Sequence, residues 1–430
     1  MKSNYLPRIL DVLLEERLDM VGAVLITGPK WCGKTTTATR YAKSILEMQD
    51  PDNTEKYLET AAVKPSLLLK GENPRLIDEW QMAPVLWDAV RTAVDKRNEA
   101  GLFMLTGSTT VDESKIMHTG TGRISRMTMH PMSLFESKES VGEISLGELF
   151  SNPQLDIDGI TSELTLEKLV FATCRGGWPS SLKRNSDKAM LYEAFNYVAN
   201  ICDSDASAVD GVSKNPERVR AVLRSYSRNI STLATNRTIL KDIISNHSDM
   251  SENSLSSYLN ALERLFVVRD TPAWCPAIRS ATTMRSGKKR EFIDPSIAVA
   301  ALNLSPEALL MDMKTFGFIF ECLCIRDLRA YSSALDGNVS YYSDRYGLEA
   351  DCVLHLADGR YALVEFKLGS REIEKSAQHL LELKSLIQKA NLEGKATLRV
   401  PDLLLVITGG EMAYTRNDGV KIIPIGTLKD

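Results

Sequence analysis

A short run of residues at positions 28–36 has the composition and spacing of a phosphate-binding loop, G-x-x-x-x-G-K-[ST]. Its members are Gly28, Pro29, Lys30, Trp31, Cys32, Gly33, Lys34, Thr35 and Thr36. In such loops backbone N–H groups curl around phosphate oxygens, the lysine neutralises charge, and the hydroxyl after the lysine ligates Mg²⁺. The run therefore predicts a site for ATP and Mg²⁺, in which Lys34 reaches the β- and γ-phosphates and Thr35 holds the metal.

Acidic and hydroxyl residues after two later apolar segments could complete this site. Asp78 and Glu79 follow one segment, and Thr106 and Ser108 follow the next. We expect Asp78 to support the metal and Glu79 to polarise the water that attacks the γ-phosphate. Ser108 or Thr106 could sense the γ-phosphate, or the segment could simply end in a strand-to-loop turn.

Arg123 follows a glycine-containing stretch, residues 119–122, and could act as an arginine finger. It could reach a γ-phosphate in cis or from a neighbouring subunit, and the second case would require a homo-oligomer. The alternative is an ordinary surface arginine.

A second group of charged residues lies near the C-terminus and has the spacing of a nuclease-like centre. Asp351 is followed, after a spacer, by Glu365 and Lys367, and Glu321 lies on a preceding helix-like segment. Residues two apart on a strand share a face, so Glu365 and Lys367 point the same way. Carboxylates at Glu321, Asp351 and Glu365 would suit Mg²⁺, and Lys367 could stabilise negative charge during phosphodiester cleavage.

The turn between the two strands decides whether Asp351 joins this group. A three-residue loop at 357–359, with Gly359 in the left-handed region, pairs Asp351 with Glu365. A two-residue loop would pair Asp351 with Phe366 instead. We predict the three-residue loop, because it also places the apolar residues of both strands on one face.

The elements around these groups indicate an α/β protein of several domains. Strands and helices alternate in the N-terminal part, which predicts a parallel sheet. Residues 164–229 are almost wholly helical and predict a lid. Helices at 238–246 and 251–264, followed by a hairpin with basic residues between 279 and 290, have the order of a winged helix. From residue 305 onward, a helix, three strands, a long helix and two strands follow.

Composition limits the partners of this chain. The 52 lysines and arginines against 56 acidic residues give a net charge of -4, which creates no global field for DNA or a membrane. DNA contact would come from a local patch, such as the basic residues between 279 and 290. The alternatives for these residues are a solvated loop or a surface packed against another domain. The seven cysteines contain no C-x-x-C pair, and no run of about 18 apolar residues occurs. We expect a cytoplasmic protein without a membrane segment.

The chain resembles prokaryotic AAA-type ATPases that end in a domain of unknown function numbered 4143. Beyond the loop and its acidic partners, the resemblance is carried by Gly176-Gly177-Trp178-Pro179, Phe292-Ile293-Asp294, Glu349-Ala350-Asp351 and Glu365-Phe366-Lys367. The fold expected from the residues and the resemblance is α/β: an AAA-like P-loop parallel sheet with a helical lid, then a winged helix and a C-terminal restriction-endonuclease-like α/β domain. The corresponding boundaries are 1–160, 161–232, 233–304 and 305–430.

The sequence thus predicts an enzyme, a Mg²⁺-dependent ATPase that couples nucleotide state to a winged helix and a nuclease-like domain, with DNA as the partner. The alternative is a nucleotide-gated interaction or regulatory protein whose nuclease-like domain is catalytically inactive. Nuclease activity and the oligomeric state stay open at this point.

Overall fold

The computed structural model describes residues 5–109, 121–209, 211–246, 249–275, 287–344, 347–394 and 397–430. The chain divides into two compact units. One unit comprises residues 1–130 with 261–266, and the other comprises residues 131–260 with 267–430.

The first unit is built on a five-stranded parallel sheet, as the alternation of strands and helices predicted. Its elements are α1 (Ile9–Met20), β1 (Ala23–Thr27), α2 (Lys34–Tyr41), β2 (Ser44–Glu47), α3 (Thr54–Val63), β3 (Arg75–Asp78), α4 (Val85–Arg97), β4 (Phe103–Gly107) and β5 (Ile124–Thr128). The strand order is β2-β3-β4-β1-β5, and every neighbouring pair is parallel. The carboxyl ends of β1, β3 and β4 therefore meet at one edge of the sheet.

The two faces of this sheet are covered by different helices, because successive side chains of a strand point to opposite sides. Leu25 and Phe103 face a core shared with α4. Val24 and Ile26 face a second core, shared with α1 and α2. Burial on both faces explains why β1 reads as a continuous apolar run in the sequence.

The second unit contains most of the helices and a second sheet. Its elements are β6 (Ile144–Ser145), α5 (Leu146–Ser151), α6 (Leu166–Arg175), α7 (Asp187–Asn200), α8 (Ala206–Ala208), α9 (Pro216–Arg228), α10 (Asn236–Asn246), α11 (Glu252–Arg264), α12 (Pro295–Ala301), α13 (Pro306–Met311), α14 (Met313–Ser333), β7 (Gly337–Ser343), β8 (Glu349–Leu356), β9 (Tyr361–Lys367), α15 (Ile373–Leu392), β10 (Leu403–Thr408), β11 (Tyr414–Thr415), β12 (Lys421–Pro424) and β13 (Leu428–Lys429). The last residues of α11 are assigned to the first unit.

The C-terminal sheet has the order β11-β12-β10-β9-β8-β7. Strands β7, β8 and β9 are antiparallel neighbours, whereas β9, β10 and β12 run parallel. The helix, three strands, long helix and two strands expected after residue 305 are all present. Whether this arrangement is restriction-endonuclease-like stays a prediction.

The turn between β8 and β9 confirms the predicted register. Leu356 donates its N–H to the carbonyl of Arg360 at 2.8 Å, and Gly359 has φ +88°. Cys352 pairs with Val364, so continuation of the ladder places Asp351 opposite Glu365. The loop is therefore the three-residue loop at 357–359, with its glycine in the left-handed region.

Residues 131–165 associate with the end of the chain. Strand β6 pairs in parallel with β13, and the N–H of Val141 donates to the carbonyl of Gly426 at 2.9 Å. The N–H of Ser162 donates to the carbonyl of Glu411 at 2.7 Å. The division between the two compact units thus falls at residue 130, well before the predicted ATPase boundary at 160. The four functional boundaries given above stay predictions.

The segment expected to form a winged helix contains the two predicted helices, α10 and α11. The expected hairpin is represented by two isolated antiparallel bridges, which pair Val268 with Phe292 and Thr271 with Lys289. Residues 276–286, which include Arg279 and Arg285, lie outside the described residues. The winged helix and the lid function of the helical segment stay predictions.

Within the described ranges, no helix combines the length and the apolar character needed to cross a bilayer.

Candidate functional site

The loop between β1 and α2 has a backbone that only particular residues can adopt. Gly28 has φ +149°, and a Cβ at this position would collide with the carbonyl oxygen of Met129. Gly33, at φ +105°, is the N-cap of α2. The two glycines therefore let the chain turn tightly from the end of β1 into the first turn of the helix.

Lys34 lies within the loop and is only 5% exposed. Its ammonium donates hydrogen bonds to the carbonyls of Gly28 at 3.0 Å and Pro29 at 2.8 Å. A lysine held in this way caps loop carbonyls and keeps its charge at the centre of the loop.

The remaining loop residues differ in exposure. Thr35 and Thr36 are exposed at the first turn of α2, and Cys32 is fully buried. Trp31 has φ +66° and is 39% exposed, whereas Lys30 is half-buried. Binding roles for these residues stay predictions.

Arg8 hydrogen-bonds to the backbone of the loop, and this role was not predicted from the sequence. Its guanidinium is buried and donates to the carbonyl of Cys32 at 2.6 Å and to that of His130 at 2.7 Å. The residue was visible only as part of a Pro7-Arg8 pair near the start of the chain. No local spacing links it to residues 24 and 122 positions away.

The structure brings the predicted acidic and hydroxyl residues together at the same sheet edge. The hydroxyl of Thr35 donates to Asp78 Oδ1 at 2.8 Å. The hydroxyl of Thr106 also donates to Asp78 Oδ1 and accepts the backbone N–H of Glu79 at 3.3 Å. Ser108 donates to Glu79 Oε2 at 3.1 Å. The two hydroxyls at the end of β4 thus orient the two acids that follow β3.

Glu79 adopts a left-handed backbone conformation, with φ +54° and ψ +46°. This conformation is unfavourable for a residue with a side chain and occurs often at functional sites. Gln81 donates a second hydrogen bond to Glu79 Oε2. The carboxylate is therefore fixed by its backbone and by two neutral donors.

Arg123 lies at the opposite edge of the sheet, which contradicts the prediction of a role in cis. Its carbonyl accepts the N–H of Ala23, the first residue of β1, whereas the loop follows the last residue of β1. A strand of five residues spans roughly 16 Å. The guanidinium forms an ion pair with Asp95 at 2.6 Å instead. Action on a neighbouring subunit stays a prediction.

The C-terminal charged residues also come together. Lys367 Nζ lies 2.8 Å from Glu365 Oε2 and 3.3 Å from Asp351 Oδ2. Asp351 Oδ2 accepts the backbone N–H of Phe366 at 3.0 Å. The predicted group of Asp351, Glu365 and Lys367 is therefore a compact cluster at the ends of β8 and β9.

An unexpected member of this cluster is Lys289. Its ammonium forms an ion pair with Glu321 and lies 3.5 Å from Asp351 Oδ1. The side chains of Lys289, Glu321 and Asp351 are 10%, 13% and 13% exposed. A lysine therefore bridges two of the three carboxylates that were predicted to share a metal.

Burial and charge shift the pKa values of this cluster in opposite directions. Burial and then the charge of Asp351 raise the pKa of Glu365 to about 7. Burial also raises the pKa of Glu321, although Lys289 opposes this shift. For Asp351, the nearby charges of Lys289 and Lys367 outweigh burial and lower the pKa. Burial would lower the pKa of Lys289, but Glu321 and Asp351 outweigh it and raise that pKa.

The predicted C-terminal metal site does not fit this arrangement. Within the described ranges, no group of three or more His, Cys, Asp or Glu side chains is placed to hold a metal ion. An ammonium ion between Glu321 and Asp351 repels a divalent cation and uses the oxygens that would bind it. With Lys289 in this position, the carboxylates of Glu321, Asp351 and Glu365 do not fit a shared Mg²⁺ ion.

Two residues of the basic stretch that was expected to hold phosphates form ion pairs and hydrogen bonds within the protein instead. Besides Lys289, Arg290 forms an ion pair with Asp270 at 3.0 Å and donates to Ala234 O and Asn236 Oδ1. From the sequence, both residues were expected on a wing that contacts phosphates, in a solvated loop, or on a surface packed against another domain. Lys289 and Glu291 stand two apart, which places both on one strand face, and this spacing was the available signal.

Three family models match successive parts of the chain. An AAA domain matches residues 21–138, a domain of unknown function (DUF8612) matches residues 166–308, and a domain of unknown function (DUF4143) matches residues 316–428. The chain therefore has an AAA domain in its N-terminal part and a DUF4143 region in its C-terminal part. The first match contains the whole loop, Asp78, Glu79 and Ser108, and the last contains Glu321, Asp351, Glu365 and Lys367. The middle match spans the segments predicted as lid and winged helix.

The proteins that are similar to this chain share little sequence identity with it. Uncharacterised proteins of Mycobacterium bovis and Mycobacterium tuberculosis are each 21% identical over 370 residues, which is 86% of this chain and 75% of each relative. Among solved structures, a Walker-type ATPase of Pyrococcus abyssi is 14% identical, with a TM-score of 0.41, and the match covers 70% of this chain and 97% of the other. Drosophila ORC bound to DNA is 13% identical, with a TM-score of 0.22, over 65% and 89% of the two chains.

Proposed function

We propose that this protein hydrolyses ATP with Mg²⁺ at the loop formed by residues 28–36. The observation that carries the proposal is the contact between the Thr35 hydroxyl and Asp78 at 2.8 Å, beside a Glu79 carboxylate held by Ser108. A hydroxyl and a carboxylate that converge at a phosphate-binding loop are suitable partners for Mg²⁺.

The loop residues fit a bound triphosphate. The first turn of α2 has backbone N–H groups without partners inside the helix, and these attract anions. Lys34 would exchange the carbonyls of Gly28 and Pro29 for β- and γ-phosphate oxygens. Arg8 holds the loop backbone from the other side through Cys32 O.

Thr35 and Asp78 would hold Mg²⁺, which supplies neutralisation of the charge on the transferred phosphoryl group. Glu79 would orient the attacking water, because its carboxylate is aimed by a fixed backbone and by Ser108 and Gln81. The hydrogen bond from Ser108 to Glu79 connects the proposed γ-phosphate sensor to the carboxylate that would orient the attacking water.

Hydrolysis is tested by substitution of Glu79. Glu79→Gln keeps the volume and removes the negative charge, so kcat should fall by roughly 100-fold or more. ATP affinity should change little, because Lys34 and the helix N-terminus are intact. Phosphate release in Mg²⁺ or EDTA and binding of a fluorescent ATP analogue measure the two quantities.

The matched control is Glu72→Gln, which changes an exposed glutamate that precedes β3, whereas Glu79 follows it. It should hydrolyse ATP at the wild-type rate. Wild type without Mg²⁺-dependent hydrolysis, or Glu79→Gln with an unchanged kcat, would refute the proposed reaction.

We further propose that nucleotide state controls a C-terminal nuclease-like domain that binds DNA and does not cleave it. The bridging position of Lys289 favours this inactive alternative over a metal-dependent nuclease. A cavity of about 800 Å³ opens beside Glu321 and Lys367 and is also lined by Lys314, Phe318 and Arg371. Cationic and aromatic side chains together suit a nucleic-acid strand.

Binding without cleavage is tested with labelled linear and circular DNA in Mg²⁺ or Mn²⁺. Wild type and Glu365→Ala should both leave the DNA intact, whereas fluorescence anisotropy should show binding that weakens as salt rises. Affinity should differ between ADP and a non-hydrolysable ATP analogue. Cleavage by wild type and not by Glu365→Ala would restore the nuclease, and equal anisotropy with and without protein would remove DNA as the partner.

A further inference from the structure

The position of Lys289 is fixed by its backbone as well as by its charge. Its N–H donates to the carbonyl of Thr271, and its carbonyl accepts the N–H of Thr271, both at 2.9 Å. This reciprocal pair anchors the chain beside the C-terminal sheet. The side chain is therefore a built part of the cluster, unlike a surface lysine that changes rotamer freely.

The cluster contains two ammonium groups among three carboxylates. Lys367 contacts Glu365 and Asp351 from one side, and Lys289 contacts Asp351 and Glu321 from the other. The two lysines reach different oxygens of Asp351, Oδ2 and Oδ1 respectively. Both oxygens of this carboxylate are consequently occupied by cations that belong to the chain.

We propose that Lys289 is a built-in cation that takes the place of a divalent metal ion and keeps the Asp351–Glu365 centre metal-free. The inference rests on the second part of the proposed function and not on ATP hydrolysis. A divalent ion at Asp351 Oδ1 would lie close to the Lys289 ammonium, which is 3.5 Å from this oxygen, and like charges repel strongly at such distances in a partly buried site. Removal of the Lys289 ammonium frees Asp351 Oδ1 and the Glu321 carboxylate, which Lys289 contacts, whereas Lys367 contacts the other oxygen, Oδ2, of Asp351. Freed carboxylate oxygens suit an oxygen-binding cation.

The test measures Mn²⁺ binding to the full-length chain by electron paramagnetic resonance of the free ion. Lys289→Met keeps the aliphatic length and removes the charge. This variant should gain a Mn²⁺ site that binds on the order of 100-fold tighter than any site at this centre in wild type. The gained site should disappear in the double variant Lys289→Met with Asp351→Asn, which separates it from any Mn²⁺ held near Thr35 and Asp78.

Two further variants control for charge and position. Lys289→Arg keeps a cation and should bind no additional Mn²⁺, and Lys288→Met changes the exposed neighbour and should behave as wild type. ATP hydrolysis by the same preparations measures the activity proposed for the first unit. Absence of hydrolysis would therefore refute the proposed ATPase and would not refute the role of Lys289.

The proposal is overturned if wild type binds Mn²⁺ in a way that Asp351→Asn abolishes, or if folded Lys289→Met gains no site. Should Lys289→Met fail to fold, the comparison of wild type with Asp351→Asn alone decides. Equal Mn²⁺ binding by these two proteins supports the resident lysine, and a loss in Asp351→Asn refutes it.

Discussion

Lys34→Ala should weaken ATP binding by roughly 100-fold or more and abolish measurable hydrolysis. A hydrogen bond to a charged group contributes about 1.5–3 kcal/mol, and Lys34 is proposed to make such bonds to two phosphates. The ammonium already lies at the centre of the loop, 2.8 Å from Pro29 O and 3.0 Å from Gly28 O. Calorimetric titration with a non-hydrolysable ATP analogue in Mg²⁺ measures the loss.

The control for this experiment is Lys43→Ala, which removes an exposed lysine just after α2. Its ATP affinity should equal that of wild type, because its side chain lies outside the loop. Lys34→Met separates charge from packing, since it fills the same buried space without the ammonium. If Lys34→Met bound ATP as tightly as wild type, the loop would not be the nucleotide site.

The nucleotide site could be predicted from the sequence because most of its information is local. Residues 28–36 are consecutive, and their spacing alone determines a turn that leads into a helix. Asp78, Glu79 and Ser108 could be added because parallel strands bring their carboxyl ends to one edge. Arg8 could not, since its contacts with Cys32 and His130 depend on how α1 packs under the sheet.

Arg123 shows that the direction of a strand determines at which end of the sheet a neighbouring residue lies. Its sequence context, the glycine-containing stretch at 119–122, indicated neither a strand after Arg123 nor the end of the sheet at which this residue lies. The register of β5 against β1 places it at the amino end, away from the loop. Only the strand order and direction, which the local pattern did not determine, could decide between the two ends of the sheet.

The strand register of the C-terminal centre could be predicted from the sequence, but the presence of Lys289 among its carboxylates could not. The alternation of apolar residues and the left-handed requirement at Gly359 together selected the pairing of Asp351 with Glu365. Lys289 comes from a basic segment whose charge alone could not distinguish a phosphate-binding wing from a solvated loop or a packing surface. Its burial follows from pairing with Thr271 and from attraction to Glu321, both of which are tertiary contacts.

Asp294→Ala should lower the free energy of unfolding by about 3–5 kcal/mol, because it breaks a buried ion pair and leaves polar groups without partners. Asp294 is fully buried, and its Oδ2 accepts the N–H of Gly177 at 2.9 Å and contacts Arg326 at 3.1 Å. Its Oδ1 accepts both the N–H and the hydroxyl of Ser296. Urea denaturation followed by tryptophan fluorescence measures the change.

The loss should be large because the same residues hold several segments of the second unit. Ser296 in turn accepts the indole N–H of Trp178 at 3.0 Å, and Trp178 stacks on Tyr197 with ring centroids 4.3 Å apart. Arg326 also pairs with Asp327, which accepts the N–H of Leu134 at 3.0 Å. The Gly-Gly-Trp-Pro and Phe-Ile-Asp motifs are therefore parts of one buried network and serve packing.

Asp312→Ala is the matched control, because Asp312 accepts the N–H of Thr315 as the N-cap of α14 in a solvent-exposed position. Loss of such a cap costs about 1 kcal/mol. Asp294→Asn keeps hydrogen-bond acceptors and removes the charge, so its stability should fall between those of wild type and Asp294→Ala. If Asp294→Ala and Asp312→Ala had equal free energies of unfolding, the buried polar network would not stabilise the association of these segments. Their association would then depend on apolar packing around Trp178 and Tyr197 alone.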